Sequence, residues 1–433
     1  MNLTLITILL FAVFGVLLFL GVPISVSILA SSIVTALSSL TWDQVTFITV
    51  QKMCTGIESF SLLAVPLFIL AGNIMNNGGI ARRLVNLAQL VVGKVPGSLA
   101  QANILGNMLF GALSGSSVAA ASAMGGCLSP IEEENGYDPA YSAAANIASA
   151  PTGLLIPPTS AFIVYSTVAG GVSISTLFMA GYLPGFLMGG ACMLVAFLMA
   201  KRMGMKPTPI KLDGSVWKVI WDAIPSLLLI VIVIGGIVGG AFTATEGAGV
   251  AVAYCLILSI IYKSVTFKGF MEILLNSAKT SGVILFLISA SSAMSFVMAY
   301  AGIPEAISNG LLSLTENKYV IFLLMNLILL IVGMFMDITP AILIFTPIFL
   351  PIAMKFGMSD IQFGVMLIFN MCLGNITPPV GSVLFVGCGI GHVTIEQVTP
   401  KLIPYFIVLI IALLMVTFIP GISLWIPQLL GLI

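Results

Sequence analysis

Apolar residues run through this chain in long blocks, most of them close to the roughly 20 residues that a helix needs to cross a bilayer. In the first half the blocks fall near 4–20, 22–40, 60–76, 98–113, 139–171 and 177–200. In the second half they fall near 217–240, 246–263, 280–300, 318–335, 361–391 and 401–419. Between them lies the only polar stretch of consequence, 201–218, with five basic residues and Pro207, Pro209 and Gly214, which reads as a loop. The expected organisation is a first repeat over 1–205, a linker over 206–216 and a second repeat over 217–433. The opening block has no basic segment before it and no small-residue cleavage site after it, so it reads as a span and not a removed leader.

Sliding the chain by 221 positions superposes 129–159 on 350–380 without a gap and gives seven identities. They are Pro130/Pro351, Ile131/Ile352, Gly136/Gly357, Ile147/Ile368, Gly153/Gly374, Pro157/Pro378 and Pro158/Pro379. Apolar composition produces chance matches of Ile, but it does not readily align three prolines and two glycines in register, so the chain reads as a duplication.

Each half breaks the rules for a membrane helix twice, in the same order. First comes an apolar run interrupted by small polar residues, at 112–117 and again at 336–341. Then comes a span interrupted by a double proline, at 152–158 and at 373–379. Two successive prolines remove two backbone donors and disfavour helix at the residue before them, so both spans are expected to unwind. Unwound backbone inside hydrocarbon is tolerated only where it is buried in protein or lines a cavity. The interrupted runs 98–131 and 318–354 are each read as a re-entrant hairpin with its polar tip at mid-membrane, and the segments 139–171 and 361–391 as broken helices.

Composition agrees: 59% of residues are hydrophobic and 7% are charged, with mean hydropathy +1.19. Fifteen basic residues balance fifteen acidic ones, which leaves no footprint for nucleic acid, and no room remains for a soluble catalytic domain. If each half crosses five times and the hairpins enter and leave on one side, twelve basic residues fall on one side and three, Lys52, Lys318 and Lys355, on the other. The positive-inside rule then makes the linker cytoplasmic and both termini external, with the first hairpin opening inward and the second outward. Inverted repeats with paired hairpins and broken helices belong to secondary transporters. The six cysteines stand singly in apolar stretches and read as buried packing residues, and the 22 methionines as core filling.

These motifs carry a family resemblance. They are Phe60 to Gly72, the Ser114-Gly115-Ser116-Ser117 tip, Gly153 to Pro158, Phe242 to Glu246, Gly333 to Pro340 with Asp337, and Gly374 to Gly381. In that order they make the chain resemble, over essentially its whole length, the large membrane subunit (M subunit) of the tripartite ATP-independent periplasmic (TRAP) transporters. Thr159 stands where the family often has Ser, which retains a hydroxyl. The resemblance implies an all-α integral membrane protein of the bacterial inner membrane, similar to the ion transporter superfamily, working by an elevator-like displacement of the hairpin domain. It implies sodium-driven uptake of an organic acid, such as sialic acid, a C4-dicarboxylate or a sugar acid, delivered by a periplasmic substrate-binding protein. A small four-span Q subunit is expected as a separate chain. Sodium ions serve as coupling ions, and no other cofactor is expected.

A sodium ion needs several oxygens, which an unwound helix beside a hairpin tip can supply from carbonyls and hydroxyls. Ser114, Ser116, Ser117, Thr152 and Gly153 form one candidate shell, and Gly333, Asp337, Thr339, Gly374, Asn375 and Thr377 its counterpart. Candidate substrate contacts are Ser116, Pro157, Pro158, Thr159, Pro378 and Pro379. No basic residue lies in the tips, so helix N-termini must supply positive potential for an anion. Against these stand plainer readings: small residues that let helices approach, Asp337 as a cap of the next helix, Glu246 as a cap at a span start, and Glu132-Glu133-Glu134 as a solvated run. Three other functions compete: a stand-alone sodium/dicarboxylate symporter, an intramembrane hydrolase using Ser116 with His392, and a passive channel. Transition-metal binding lacks partners for His392, the only histidine.

Overall fold

The computed structural model describes residues 3–77, 80–208, 215–262, 264–378 and 380–433, and within them all regular structure is helical. In chain order the first half holds α1 (Leu3–Phe19), α2 (Ile24–Leu37), α3 (Trp42–Thr55), α4 (Ala64–Asn77), α5 (Ile80–Val92), α6 (Ser98–Ser114), α7 (Ser117–Glu134), α8 (Pro139–Ser149), α9 (Thr152–Leu155), α10 (Ser160–Val168) and α11 (Ile174–Arg202). The second half holds α12 (Val216–Val238), α13 (Ala244–Ile261), α14 (Phe267–Tyr300), α15 (Ile303–Leu314), α16 (Lys318–Gly333), α17 (Ile338–Lys355), α18 (Asp360–Gly374), α19 (Ser382–Ile390), α20 (Ile395–Phe418) and α21 (Pro420–Leu429).

The boundaries repeat with the 221-residue period read from the sequence. Helices α7 and α17 begin and end 221 residues apart, as do the starts of α8 and α18 and of α11 and α20. Their caps coincide too. The side chains of Ser116 and Asp337, of Asp138 and Ser359, and of Ser173 and Thr394 each accept from a backbone N–H of the first turn they precede.

Packing follows a reciprocal pattern. Helix α4 packs on α13 while α2 packs on α14; α7 packs on α19 while α10 packs on α17; α8 packs on α20 while α18 packs on α11. Exchanged pairs of this kind are what a two-fold relation generates. On such an axis equivalent residues meet each other, and the Cys372 thiol donates to the carbonyl of Pro151, 221 residues away, at 3.4 Å. One group of helices is built from α1–α4 and α12–α14, and the other from the hairpins, the broken helices, α11, α20 and α21.

Among the described residues six single helices are long and apolar enough to cross a membrane, or eight spans if two bent pairs are counted. The twelve apolar blocks therefore do not map onto twelve spanning helices, because hairpin arms and broken halves are shorter. Four helices lie outside the expected spans: α3, α5, α15 and α21. Helix α14 also begins at Phe267, well before position 280. Charges such as Asp43, Lys52, Arg82, Arg83, Lys268, Glu272 and Lys279 interrupt several of these segments and hide them from a search for apolar runs. The two halves differ at this point: α3 and α4 meet at a 64° bend, whereas their counterpart α14 is continuous.

Both expected helix–break–helix units are present, but they are unequal. Arms α6 and α7 pack along each other; α16 and α17 touch much less, α16 lying on α18 and α17 on α10, α18 and α14. The cysteine expectation holds for Cys192, Cys255, Cys372 and Cys388, which are buried, but not for Cys127, which is half-buried on α7, or Cys54, which is exposed on α3.

Hairpin and broken helix meet through glycine in each half. A Cβ on Gly111 of α6 would fall 2.4 Å from the Gly153 Cα, and one on Gly374 of α18 would fall 2.5 Å from the Gly333 Cα. Gly111→Ala is expected to cost about 1–3 kcal/mol through overpacking against backbone. Gly190→Ala on α11, where a Cβ meets nothing within 4 Å, should leave the melting temperature level or raise it slightly. Thermal unfolding of the two detergent-purified variants checks this; equal melting temperatures would count against the close approach.

Candidate functional site

The first break begins after α8. Helix α9 is a single turn, Ile156 leaves helical geometry with ψ 113°, and α10 starts only at Ser160. Hairpin tip and break are in contact: Gly115 takes a left-handed conformation, φ +60°, and a Cβ there would lie 3.1 Å from the Pro158 carbonyl oxygen and 3.4 Å from the Thr159 Cα. Ser116 caps α7, its Oγ accepting from Ala119 N at 3.3 Å. Thr152, the first residue of α9, is fully buried but directs its hydroxyl to the carbonyl of Ser149, the last residue of α8, at 2.7 Å, so as a donor it is already occupied. Thr159 differs: it is fully buried and its Oγ1 has no hydrogen-bond partner.

The second break is built alike. Asn375 N and Thr377 N still bond back to Met371 O and Gly374 O, at 2.9 and 3.0 Å, and Val383 N reaches across the break to Asn375 O at 3.1 Å. The Thr377 hydroxyl donates to Leu373 O at 2.6 Å. Gly381 has φ +26°, and any Cβ there would press on the carbonyl oxygens of Asn375 and Thr377. Pro379 lies outside the described residues. Asp337 is exposed and accepts from Ile338 N at 2.9 Å, so it caps α17 as Ser116 caps α7. Ser382 was not singled out from the sequence; its Oγ is buried at the start of α19 without a partner. Its position directly after the Gly374–Gly381 motif was the available signal.

Each double proline lacks two N–H donors, so both breaks hold more carbonyl acceptors than donors. Such surroundings suit a cation. The first group of candidates, from Ser114 to Ser117 with Thr152, Gly153, Pro157, Pro158 and Thr159, is assembled where the tip meets the break. In the second group Gly333 meets Gly374, while Asp337 and Thr339 open the next arm.

Asparagines hold these parts in place. The Asn107 amide donates to Asn103 Oδ1, to Asn146 Oδ1 and to Ser149 Oγ at 3.0, 3.0 and 2.9 Å, while Asn146 donates to Ala121 O at 3.0 Å. In the other half Asn370 donates to Asn326 Oδ1 at 2.7 Å, and Asn326 donates to Thr417 Oγ1 at 3.2 Å.

Two of the plainer readings are settled by the geometry. Glu246 caps α13, its Oε2 accepting from Thr243 N at 2.8 Å. Glu132 is not part of a solvated run: it is 1% exposed, because the end of α7 turns it inward, whereas Glu133 and Glu134 are exposed. His392, φ +52°, lines a different cavity from the tip that carries Ser116, so the two do not form a catalytic pair.

The family model of the tripartite ATP-independent periplasmic transporter, DctM component, matches residues 11–422. The chain belongs to this family. It is the large membrane subunit of a TRAP transporter, a multi-pass protein of the bacterial inner membrane, and a transport component in place of an enzyme. An uncharacterized protein of Salmonella typhimurium, YgiK, is 51% identical over 98% of this chain and 97% of its own length. The C4-dicarboxylate TRAP transporter large permease protein DctM of Rhodobacter capsulatus is 35% identical over 97% of this chain and 99% of its own. The solved YdaH transporter of Alcanivorax borkumensis shares the fold, with TM-score 0.65 at 16% identity over 90% of each chain.

Asn146→Leu and Asn370→Leu each strand buried partners between a hairpin arm and a broken helix. Each is expected to cost about 1–3 kcal/mol, read as a lowered melting temperature of the purified TRAP subunit. Unchanged melting for both would show that the asparagine bridges do not hold the breaks.

Proposed function

We propose that this TRAP subunit imports an organic acid by sodium-coupled, elevator-type transport, through two inverted repeats whose tips and breaks form the sodium sites. The observation that carries the reading is the paired construction of tip and break: reciprocal packing 221 residues apart, surplus carbonyls at both double prolines, and the partnerless hydroxyls of Thr159 and Ser382. Sodium bound there would supply positive charge beside the N-termini of α7 and α17, where the chain has no lysine or arginine. An anion at Ser116, Pro157, Pro158, Thr159 and Pro378 would then bind more strongly with sodium than without it, which couples the two. The helix group containing the hairpins is the moving part, and α1–α4 with α12–α14 the scaffold. A periplasmic substrate-binding protein delivers the acid and a small membrane subunit accompanies the scaffold. The C4-dicarboxylate relative supports the organic-acid class.

With the linker cytoplasmic, a cysteine at position 206 in a cysteine-free background should label only from the cytoplasm. Labelling from the periplasm in intact cells would contradict the inverted arrangement.

Uptake by the reconstituted complex should require a sodium gradient and rise more than linearly with sodium. Ser116→Ala and Thr377→Ala each remove one oxygen and leave the carbonyls, so both should raise the half-saturating sodium concentration several-fold while the protein stays monodisperse. Unchanged sodium dependence with only a lower melting temperature would favour packing as the role of these residues. Full uptake without the binding protein would favour a stand-alone symporter.

A further inference from the structure

A cavity of about 820 Å³ opens between α7, α8, the loop after α19, and α20. Tyr137 lines it and its hydroxyl meets Thr208 Oγ1 at 2.9 Å, which places the cavity at the linker end of the molecule. From the last turn of α7, outside the spanning helices, Glu132 lines it with both carboxyl oxygens buried and without a partner. One neighbouring hydroxyl is in the same condition: Ser142 Oγ lines the cavity and is buried without a partner.

Buried polar atoms are partnered as a rule, and an ionised carboxylate without donors is costly in such surroundings. Burial pushes the Glu132 carboxyl up to about 7, the Ser142 hydroxyl opposing the shift. Nearby cations do not relieve it. Lys401 is engaged by Asp138 Oδ2 at 2.8 Å. Burial works against Asp138, but its bonds from Lys401 and Ala140 N hold its carboxyl below the usual range. Arg82 lines a separate cavity, on the side of Cys127 and Glu134. The Tyr137 hydroxyl meets Thr208, and the Tyr141 hydroxyl donates to Ala196 O at 2.9 Å. His392 and Gln397 line the same cavity, and exposed Glu133 adds negative charge at its mouth. Among the described residues no three His, Cys, Asp or Glu gather as metal ligands, so a multivalent ion lacks a shell.

We infer that this cavity is a cation site in which Glu132 takes up a single positive charge, a proton or an alkali-metal ion, from cavity water, with the Ser142 hydroxyl as a neutral oxygen partner. For a proton, one O–H bond of a hydronium ion in the cavity breaks as one O–H bond forms on the carboxylate, leaving water, and release runs the same exchange in reverse. The site stands at the far end of α7 from the Ser116 tip, on the order of 23 Å along the helix at 1.5 Å per residue. It does not rest on the sodium reading of the breaks.

Dicyclohexylcarbodiimide, which attacks protonated carboxyls in apolar surroundings, tests this on the purified full chain, with peptide mass spectrometry as the readout. An adduct is expected on Glu132 and not on exposed Glu133, falling as pH rises through a midpoint well above the ordinary carboxylate range. Suppression by sodium chloride but not choline chloride identifies the alkali-metal ion; equal titrations in both salts identify the proton. No adduct at any pH, or a yield flat across the neutral range in both salts, would overturn the site. A group held neutral in the folded chain costs stability as pH climbs from the ordinary carboxylate range to about 7. Glu132→Gln keeps the shape and should abolish that part of the fall in melting temperature; an unchanged pH profile would overturn the proposal as well.

Discussion

Lipid offers no hydrogen bonds, so every backbone group that a membrane helix gives up must find its partner inside the protein. Besides the hairpin tips, this chain gives up helix at its two double prolines, across 156–159 and across the described residues between Gly374 and Ser382, and the rest of its architecture answers to that. Each break is covered by a hairpin arm brought close by a glycine pair, Gly111 with Gly153 and Gly333 with Gly374. Each second arm then packs on the other half's broken helix, α7 on α19 and α17 on α10.

The same constraint makes the breaks suited to binding. Prolines remove donors and leave carbonyls, so what accumulates is negative potential lined by hydroxyls. Ser116 and Asp337, in equivalent places, fix the first turns of α7 and α17. Those first turns bring N–H groups and the positive ends of helix dipoles toward the same regions. In the proposed sites a cation among carbonyls and an anion at helix N-termini would thereby be held mainly by backbone, with side chains in supporting roles.

Much of this was legible in the residues. Period-221 identities located the breaks, and small polar residues located both tips. Proline and glycine were readable because their effects are local to the backbone. The unread parts depend on partners distant in sequence. The asparagine bridges 107–146 and 326–370 join residues about 40 apart, and nothing in their local pattern marks them. Helices α3, α5 and α15 were hidden because charges share their length with apolar residues. Glu132 was misread because three consecutive glutamates look alike in sequence, while a helix turns only one of them inward.

Backbone hydrogen exchange of the purified chain, followed by mass spectrometry in sodium chloride against choline chloride, tests most directly whether the two breaks are ion sites. Peptides covering 151–159 and 375–381, with the tips at 114–117 and 336–341, should exchange more slowly in sodium, while α1 and α12 exchange equally in both salts. Breaks and tips that exchange at the same rate in the two salts would contradict the account.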